Sequence, residues 1–286
     1  MKNNMPLTNT RELMKKFDFR MAKSLGQNFL IDEDILKSIV LGSEVSKEDC
    51  VLEIGPGMGV LTQALCEKAG KVLAIEIDKK LMPILKVTLF GYDNVNVIND
   101  DVLRVDLKSV LRDNFGDVPA KVVANLPYYI TTPIIMKLLE ERLNLKSITV
   151  MVQKEVGDRL KASPGGKDYG AISAAVQYYS VPHKILDVPP ASFIPPPEVD
   201  SVVMRLDIRE KPPVEVKSEE MLFRVIKAAF GQRRKTLLNA LTAGSFNKSK
   251  EEIKDILGKA GIDDGRRGET LSLQEFAAIA DELRQQ

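Results

Sequence analysis

The tetrapeptide Asn125-Leu126-Pro127-Tyr128 carries the groups of this chain that are best suited to chemistry, and it follows a short apolar β-type run at 121–124. The side-chain oxygen of Asn125 and the carbonyl of Pro127 can accept the two hydrogens of an amine whose lone pair is delocalised into a ring, such as the N6 amine of adenine. Accepting them turns the lone pair toward an electrophile. The Tyr128 ring can stack on the base. Taken alone, the same residues are also typical of a proline turn with a packed tyrosine.

A glycine-rich turn, Glu53-Ile54-Gly55-Pro56-Gly57-Met58-Gly59, follows an earlier β-type run and opens a helix. Glycines at such positions let the backbone turn sharply and approach a ligand closely. The dinucleotide fingerprint GxGxxG needs a glycine at position 60, where this chain has Val60. A loop that need not cradle a pyrophosphate favours the methionine part of S-adenosylmethionine over NAD or FAD. We therefore expect Glu53, Gly55 and Gly57 to form part of a cofactor site.

Carboxylates stand at the ends of the next two β-type runs. Glu76 is placed to accept hydrogen bonds from ribose hydroxyls, with Asp78 as the weaker candidate. Asp101, in Asn-Asp-Asp at 99–101, is placed to accept from an adenine amine. Any one of these groups could be a helix cap or a surface charge. Their placement at successive strand ends, where open α/β sheets bind ligands, predicts a nucleoside-containing cofactor.

β-type runs alternate with helical patterns over the first two thirds of the chain, which predicts an α/β, Rossmann-like fold with a mostly parallel seven-stranded sheet. The seven runs lie at 50–54, 72–76, 95–99, 121–124, 147–152, 184–188 and 202–208. After Ile208 a linker at 209–213 leads into helical periodicity without convincing strands. We expect two domains, a Rossmann-like domain at 1–208 with a basic N-terminal segment and a small helical RNA-binding domain at 209–286.

Composition excludes several classes of protein. The apolar fraction of 44% is ordinary for a globular protein, and Cys50 and Cys66 have neither CxxC spacing nor a nearby histidine, so we expect no zinc or other metal site. We find no apolar run of the roughly 18 residues that a membrane span needs, and we expect a cytoplasmic protein. The net charge of +1 hides a basic segment, 221–250, without a carboxylate. This segment predicts either a phosphate-binding patch or a solvated helical face.

Five motifs occur in series, and together they resemble one family. They are Ser-Leu-Gly-Gln-Asn-Phe-Leu at 24–30, Gly-Pro-Gly-Met-Gly at 55–59, Asn-Leu-Pro-Tyr at 125–128, Phe-Ile-Pro-Pro-Pro-Glu-Val-Asp-Ser at 193–201 and Ala-Phe-Gly-Gln-Arg-Arg-Lys-Thr-Leu at 229–237. The chain is similar, from about residue 23 to the C-terminal helices, to the rRNA adenine N6-dimethyltransferases, specifically to the bacterial enzymes of the small subunit.

The resemblance assigns roles to individual residues. It implies that S-adenosylmethionine is held by Asn28, Leu30, Gly55, Glu76, Asp101 and Asn125, with Gln27 nearby. It implies that Asn125, Pro127 and Tyr128 position the target amine, and that Phe193 covers the other face of an extruded adenine. Stacking of that kind partly offsets the cost of flipping a base. Arg233, Arg234 and Lys235 are implied to contact RNA phosphates, which position RNA without reading its sequence.

The implied substrate is a pair of adjacent adenosines in a hairpin loop near the 3′ end of 16S rRNA, within the small ribosomal subunit. Each receives two methyl groups, with a role in subunit biogenesis, and we expect the enzyme to be a monomer. Two alternatives stay open: a 23S rRNA adenine methyltransferase of the resistance type, and an RNA-binding assembly factor that has lost catalysis. A nicotinamide-dependent oxidoreductase is disfavoured by Val60.

Overall fold

The computed structural model describes residues 10–22 and 25–284. Ser24, which begins the first motif, and the first nine residues of the basic N-terminal segment lie outside this part of the chain. The chain divides into two compact units, one comprising the residues up to 157 together with 182–208, the other comprising 158–181 together with the residues from 209 onward.

Nine strands form in the described residues. They are β1 (Phe29–Leu30), β2 (Cys50–Ile54), β3 (Lys71–Glu76), β4 (Val95–Asn99), β5 (Ala120–Asn125), β6 (Leu145–Gln153), β7 (Ser180–Val188), β8 (Phe193–Ile194) and β9 (Ser201–Ile208).

Twelve α-helices accompany them in the same residues. They are α1 (Thr10–Lys16), α2 (Glu33–Gly42), α3 (Val60–Lys68), α4 (Met82–Thr88), α5 (Leu107–Phe115), α6 (Thr131–Glu140), α7 (Lys154–Lys161), α8 (Ala171–Tyr179), α9 (Glu219–Gly231), α10 (Leu237–Thr242), α11 (Lys250–Lys259) and α12 (Leu273–Arg284).

Seven of the strands form one sheet in the order β4-β3-β2-β5-β6-β9-β7, which confirms the predicted α/β fold. Strands β4, β3, β2, β5 and β6 run parallel to one another, and β9 runs antiparallel to β6. From β2 the chain proceeds outward through β3 and β4, then returns to place β5 on the other side of β2. The order therefore reverses between β2 and β5, and open α/β sheets bind ligands in the crevice at such a point.

The centre of the sheet is buried on both faces. All five residues of β2 are buried, as expected for a parallel strand that is covered by helices on either side. On one face, apolar residues of α2 and α3 pack with Val51, Val72 and Val123 of the central strands. Since α3 starts directly after the glycine loop, this packing fixes the loop against the carboxyl ends of the strands.

The second unit has its own apolar core, built from α8 to α12. The predicted boundary at 208 separates β9 from these helices, but the segment 158–181, which we assigned to the first domain, groups with the second unit. Tyr179 of α8 stacks on Phe223 of α9 with ring centroids 5.5 Å apart, and Tyr169 packs edge-on against Phe230. The local sequence of α8 carries no information on which core its apolar face joins.

Among the described residues, no helix is long and apolar enough to cross a membrane.

Candidate active site

A pocket opens at the carboxyl ends of β2, β3 and β5, where the strand order reverses. Its walls contain every residue that we predicted to hold the cofactor: Gln27, Asn28, Leu30, Glu53, Gly55, Gly57, Glu76, Asp101 and Asn125. Pro127 and Tyr128 line the same pocket. The structure thus brings together residues that lie up to 101 positions apart in the chain, from three of the five motifs and from the carboxyl ends of β3 and β4.

The glycine loop is held in a conformation that L side chains rarely adopt. Gly55, Gly57 and Gly59 have φ angles of 68°, 59° and 84°, in the region that favours glycine. The N–H of Gly55 donates to the carbonyl of Ile75 on the neighbouring strand at 2.9 Å. A Cβ added at Gly55 would meet only the backbone oxygen of Asn125, at 4.0 Å. The backbone here borders open pocket space, which a side chain would fill.

Glu76, at the end of β3, is oriented by two backbone donors. Its Oε2 accepts from the N–H of Gly57 at 3.1 Å and its Oε1 from the N–H of Asp78 at 2.8 Å. Burial raises the pKa of Glu76, while these two hydrogen bonds favour its ionised form. Each carboxylate oxygen has a further lone pair. The group is therefore an oriented pair of acceptors at the pocket wall, as a ribose with two hydroxyls requires.

Glu53 lies beneath the loop and is only 1% exposed. Its Oε2 has no hydrogen-bond partner among the described residues. Burial raises the pKa of Glu53 to about 8, and the nearby charge of Glu76 adds to the shift, while the Thr62 hydroxyl opposes it. A buried polar atom without a partner is costly. Glu53 is among the residues that line the pocket, in which a positively charged ligand would supply the missing interaction.

Asp101 and Asp78 take different roles. Asp101 lines the pocket, and its Oδ1 accepts from the N–H of Leu103 at 2.9 Å, which fixes the side chain while leaving acceptor capacity. Asp78, our weaker candidate for the ribose, instead caps the turn after β3 by accepting from the N–H of Lys80 at 3.0 Å. It also accepts from Nε2 of Gln27 at 2.9 Å. Gln27 thus ties the N-terminal motif to β3, and Glu76 is the carboxylate that faces the pocket.

The N-terminal motif orients the amide of Asn125. The Nδ2 of Asn125 donates to the backbone carbonyl of Asn28 at 3.2 Å. Next to Asn28, β1 pairs with β8, with Phe29 opposite Ile194 and Leu30 opposite Phe193. With its nitrogen engaged in this way, the amide directs its oxygen, the acceptor we predicted, away from Asn28.

Pro127 departs from the prediction. Its carbonyl already accepts from the N–H of Ile130 at 3.2 Å and from the hydroxyl of Thr131 at 3.1 Å. A carbonyl oxygen has two lone pairs, and both are used here to start α6. The role of Pro127 as the second acceptor for a target amine therefore needs correction, although its ring does line the pocket.

Tyr128 is the aromatic residue that we predicted to stack on the target base. It lines the pocket, and its hydroxyl lies 2.6 Å from the hydroxyl of Ser201, the first residue of β9. Burial raises the pKa of the Tyr128 phenol, which keeps it neutral, while the contact with Ser201 acts in the opposite direction.

Phe193 also departs from the prediction. Its side chain is 2% exposed and packs in the core with Leu30, Val123 and Met151, and it is not among the residues that line the pocket. The pairing of β8 with β1 places it there. A ring that is almost fully buried in the core cannot cover a base in this conformation.

Sequence reasoning missed several pocket residues. Ile77 and Val102 follow the two strand-end carboxylates directly and add apolar walls beside them. Tyr129 lines the pocket and is 57% exposed, next to the half-buried Tyr128. An apolar residue immediately after each carboxylate, and the doubled tyrosine, were the available signals. Thr10 of α1 lines the pocket as well, without a sequence motif that could have identified it.

The predicted RNA-binding residues lie in the second unit, in the exposed loop between α9 and α10. Arg233 is engaged within that unit: its Nε donates to Glu269 at 3.1 Å, and a second nitrogen donates to the carbonyl of Lys167. Arg234 and Lys235 are exposed. The loop thus exposes the cations of Arg234 and Lys235, next to Arg233, which also forms hydrogen bonds within the second unit.

The pocket fits S-adenosylmethionine. The glycine loop leaves pocket space that a Cβ at Gly55 would fill. The oriented carboxylate of Glu76 suits the ribose of this ligand, and the unpartnered carboxyl oxygen of Glu53 suits its positive charge. No group of three potential metal-ligating side chains forms within the described residues.

Comparison with known proteins agrees with this geometry. The family model described as ribosomal RNA adenine dimethylase matches residues 18–282. A protein of Alkaliphilus oremlandii named ribosomal RNA small subunit methyltransferase A is 55% identical over 274 residues, 96% of each chain. A protein of the same name from Clostridioides difficile is 51% identical over 95% of this chain and 93% of its own.

Solved structures are similar over most of the chain. A dimethyladenosine transferase from Plasmodium falciparum superposes with a TM-score of 0.75 at 27% identity, covering 88% of this chain and 95% of its own. The 23S rRNA methyltransferase ErmE has a TM-score of 0.66 at 25% identity, covering 90% and 99%. From the family match and the identity to its relatives, we conclude that this chain belongs to the ribosomal RNA adenine dimethylase family.

Proposed function

We propose that this protein transfers methyl groups from S-adenosylmethionine to the N6 amines of two adjacent adenosines in a hairpin loop near the 3′ end of 16S rRNA. The observation that carries the proposal is the amide of Asn125, a residue that lines the pocket and whose amide nitrogen donates to the Asn28 carbonyl at 3.2 Å. An amide oriented in this way offers its oxygen to an incoming N6–H. S-adenosylmethionine, when bound, supplies the electrophilic methyl group.

Several pocket residues are placed to bind the separate parts of S-adenosylmethionine. Glu76, oriented by the N–H of Gly57, would accept from the ribose hydroxyls, and Asp101, which lines the same pocket, would accept from the adenine amine. Ile77 and Val102 provide apolar faces for the adenine ring. The glycine loop lets the backbone approach the methionine part closely, because no Cβ stands between them.

The side chain of Asn125 acts on the target amine. Its Oδ1 accepts one N6 hydrogen, which concentrates the nitrogen lone pair on the side facing the cofactor and stabilises the positive charge that develops on N6. Because the carbonyl of Pro127 is occupied, we assign the second acceptor to the carbonyl of Leu126, which lies between Asn125 and Pro127 in the same turn. Tyr128 holds the extruded base by stacking, which contributes roughly 1–3 kcal/mol per base.

The substrate assignment rests on the relatives. Those at 50–55% identity are named for the small subunit, whereas the structure named for 23S rRNA is 25% identical. We propose that the enzyme acts as a monomer in the cytoplasm on an assembling small subunit, and that Arg234 and Lys235 contact RNA phosphates there.

The proposal is tested by incubating the purified protein and labelled S-adenosylmethionine with unmethylated small subunits, unmethylated large subunits and naked rRNA. We expect label in 16S rRNA of the small subunits. Label in 23S rRNA would support the resistance-type alternative, and tight subunit binding without transfer would support a non-catalytic assembly factor.

A further inference from the structure

We infer that Ser201 is a positioning residue of the active site, which holds the ring of Tyr128 at the angle needed for stacking on the target adenine. The inference rests on the proposed function, since it concerns the base that Tyr128 would contact. The two hydroxyls are 2.6 Å apart, a normal distance for a hydrogen bond between hydroxyl groups, and either can be the donor.

Ser201 is fixed more firmly than the residue it contacts. Its side chain is fully buried, with 0% exposure, and it pairs in register with Gln153 at the end of the β6–β9 ladder. Just before it, the carbonyl of Asp200 accepts from the N–H of Lys154 at 3.0 Å. The hydroxyl of Ser201 is therefore a rigid anchor in the sheet.

Tyr128, by contrast, lies in a short 3-10 turn between β5 and α6 and is half-buried. A tyrosine ring turns about two side-chain torsions, so packing against the pocket wall alone leaves it free to tilt. A hydrogen bond at the tip of the ring removes that freedom. Because burial raises the pKa of the Tyr128 phenol and keeps it neutral, the contact restrains the ring without placing a charge beside the base.

This contact also gives a reason for the serine in the motif at 193–201. The structure places Phe193 of that motif in the core, whereas Ser201 reaches the wall of the pocket through Tyr128. A contact between these two motifs, 73 residues apart, could not be predicted from the local sequence.

The test is a double-mutant cycle with Ser201→Ala, Tyr128→Phe and the double variant, measured as kcat and KM for methyl transfer to small subunits at saturating S-adenosylmethionine. A neutral hydrogen bond of ordinary strength corresponds to a loss of roughly threefold to tenfold. We expect each single variant to lose kcat by such a factor with little change in KM, and we expect the double variant to lose no more than either single variant.

Ser43→Ala serves as the matched control. Ser43 is equally buried, and its hydroxyl donates to the carbonyl of Val40 at the end of α2, outside the pocket. We expect this variant to keep the wild-type kcat even where its thermal stability falls as much as that of Ser201→Ala. A purely structural role for Ser201 would make the two variants alike.

Wild-type kcat in Ser201→Ala or in Tyr128→Phe would overturn the inference. So would a double variant whose loss equals the product of the two single losses. The rate of the wild-type enzyme tests the proposed function separately, because the inference depends only on ratios of variant to wild type. If transfer occurs to 23S rRNA instead, the same ratios are measured on that substrate.

Discussion

Substituting Gly55 by alanine separates the cofactor role of the glycine loop from its role in folding. Gly55 has φ 68°, and a Cβ there would lie 4.0 Å from the backbone oxygen of Asn125, with no nearer protein atom. The new methyl group would therefore occupy pocket space without pushing on the protein. Gly57 is less suitable, because its Cβ would meet the ring of Phe29 at 3.0 Å and disturb the pocket wall.

Two magnitudes follow. An alanine in the left-handed region costs about 1–2 kcal/mol, which lowers the melting temperature by roughly 2–4 °C per kcal/mol in a protein of this size class. The affinity for S-adenosylmethionine should fall at least tenfold, about 1.4 kcal/mol, because the methyl group excludes the ligand from the place where the backbone must approach it.

Gly261→Ala is the matched control for backbone strain. Gly261 follows α11 in the second unit with φ 71°, and a Cβ there would meet nothing within 4 Å. Thermal melting and calorimetric titration with S-adenosylmethionine should show similar losses of stability for the two variants and a loss of affinity for Gly55→Ala alone. Wild-type affinity in Gly55→Ala would refute the assignment of the loop to the cofactor.

Three further predictions concern charge. Glu53 keeps its proton in the folded protein up to about pH 8 but releases it near its ordinary value of about 4.3 when unfolded. The free energy of unfolding should therefore fall as pH rises between those two values. Chemical denaturation of the cofactor-free protein should show a smaller fall for Glu53→Gln than for the wild type, and an equal fall would contradict the protonated state of Glu53. Asp49 lies buried at the amino end of β2; burial alone would raise its pKa, but hydrogen bonds from Ser46, Lys146 and Lys121 outweigh burial and lower it. Ionised Asp49 thus contributes to the free energy of unfolding above about pH 4, and this contribution is lost as pH falls further. Asp49→Asn should lower the free energy of unfolding by about 3 kcal/mol at pH 7 and leave it unchanged at strongly acidic pH. Equal stability of the variant and the wild type in chemical denaturation at pH 7 would disprove this. Replacing both Arg234 and Lys235 by alanine should weaken subunit binding and reduce the slope of log affinity against log salt concentration by roughly one per cation, with an unchanged melting temperature. Arg233→Ala should also lower the melting temperature, because it breaks the contacts to Glu269 and to Lys167. An unchanged slope for the double variant would show that this loop does not contact RNA phosphates.

The central sheet and most of the cofactor site could be predicted from the sequence, because both depend on local patterns. Buried parallel strands are continuous apolar runs, and the residue that ends such a strand faces the ligand crevice. On that basis Glu76, which ends β3, and Asp101, two residues beyond the end of β4, could be predicted to line the pocket, as both do. The glycines at 55 and 57 could be identified because a turn with positive φ requires glycine.

Contacts between distant segments could not be predicted in this way. The pairing of β1 with β8 joins residues 29–30 to 193–194, and it is this pairing that draws Phe193 into the core rather than to the base. The occupied carbonyl of Pro127 depends on Thr131, whose hydroxyl happens to start α6, and no spacing rule indicates such a contact.

The most direct test of the central claim compares the wild-type enzyme with Asn125→Ala on unmethylated small subunits at saturating S-adenosylmethionine, with the nucleosides of 16S rRNA identified by mass spectrometry. We predict N6,N6-dimethyladenosine at two adjacent positions near the 3′ end after treatment with the wild-type enzyme, and almost none after treatment with a folded Asn125→Ala variant. Dimethylation at a near-normal rate by that variant would contradict the acceptor role of Asn125, and methylation of any atom other than adenine N6 by the wild-type enzyme would contradict the proposed reaction.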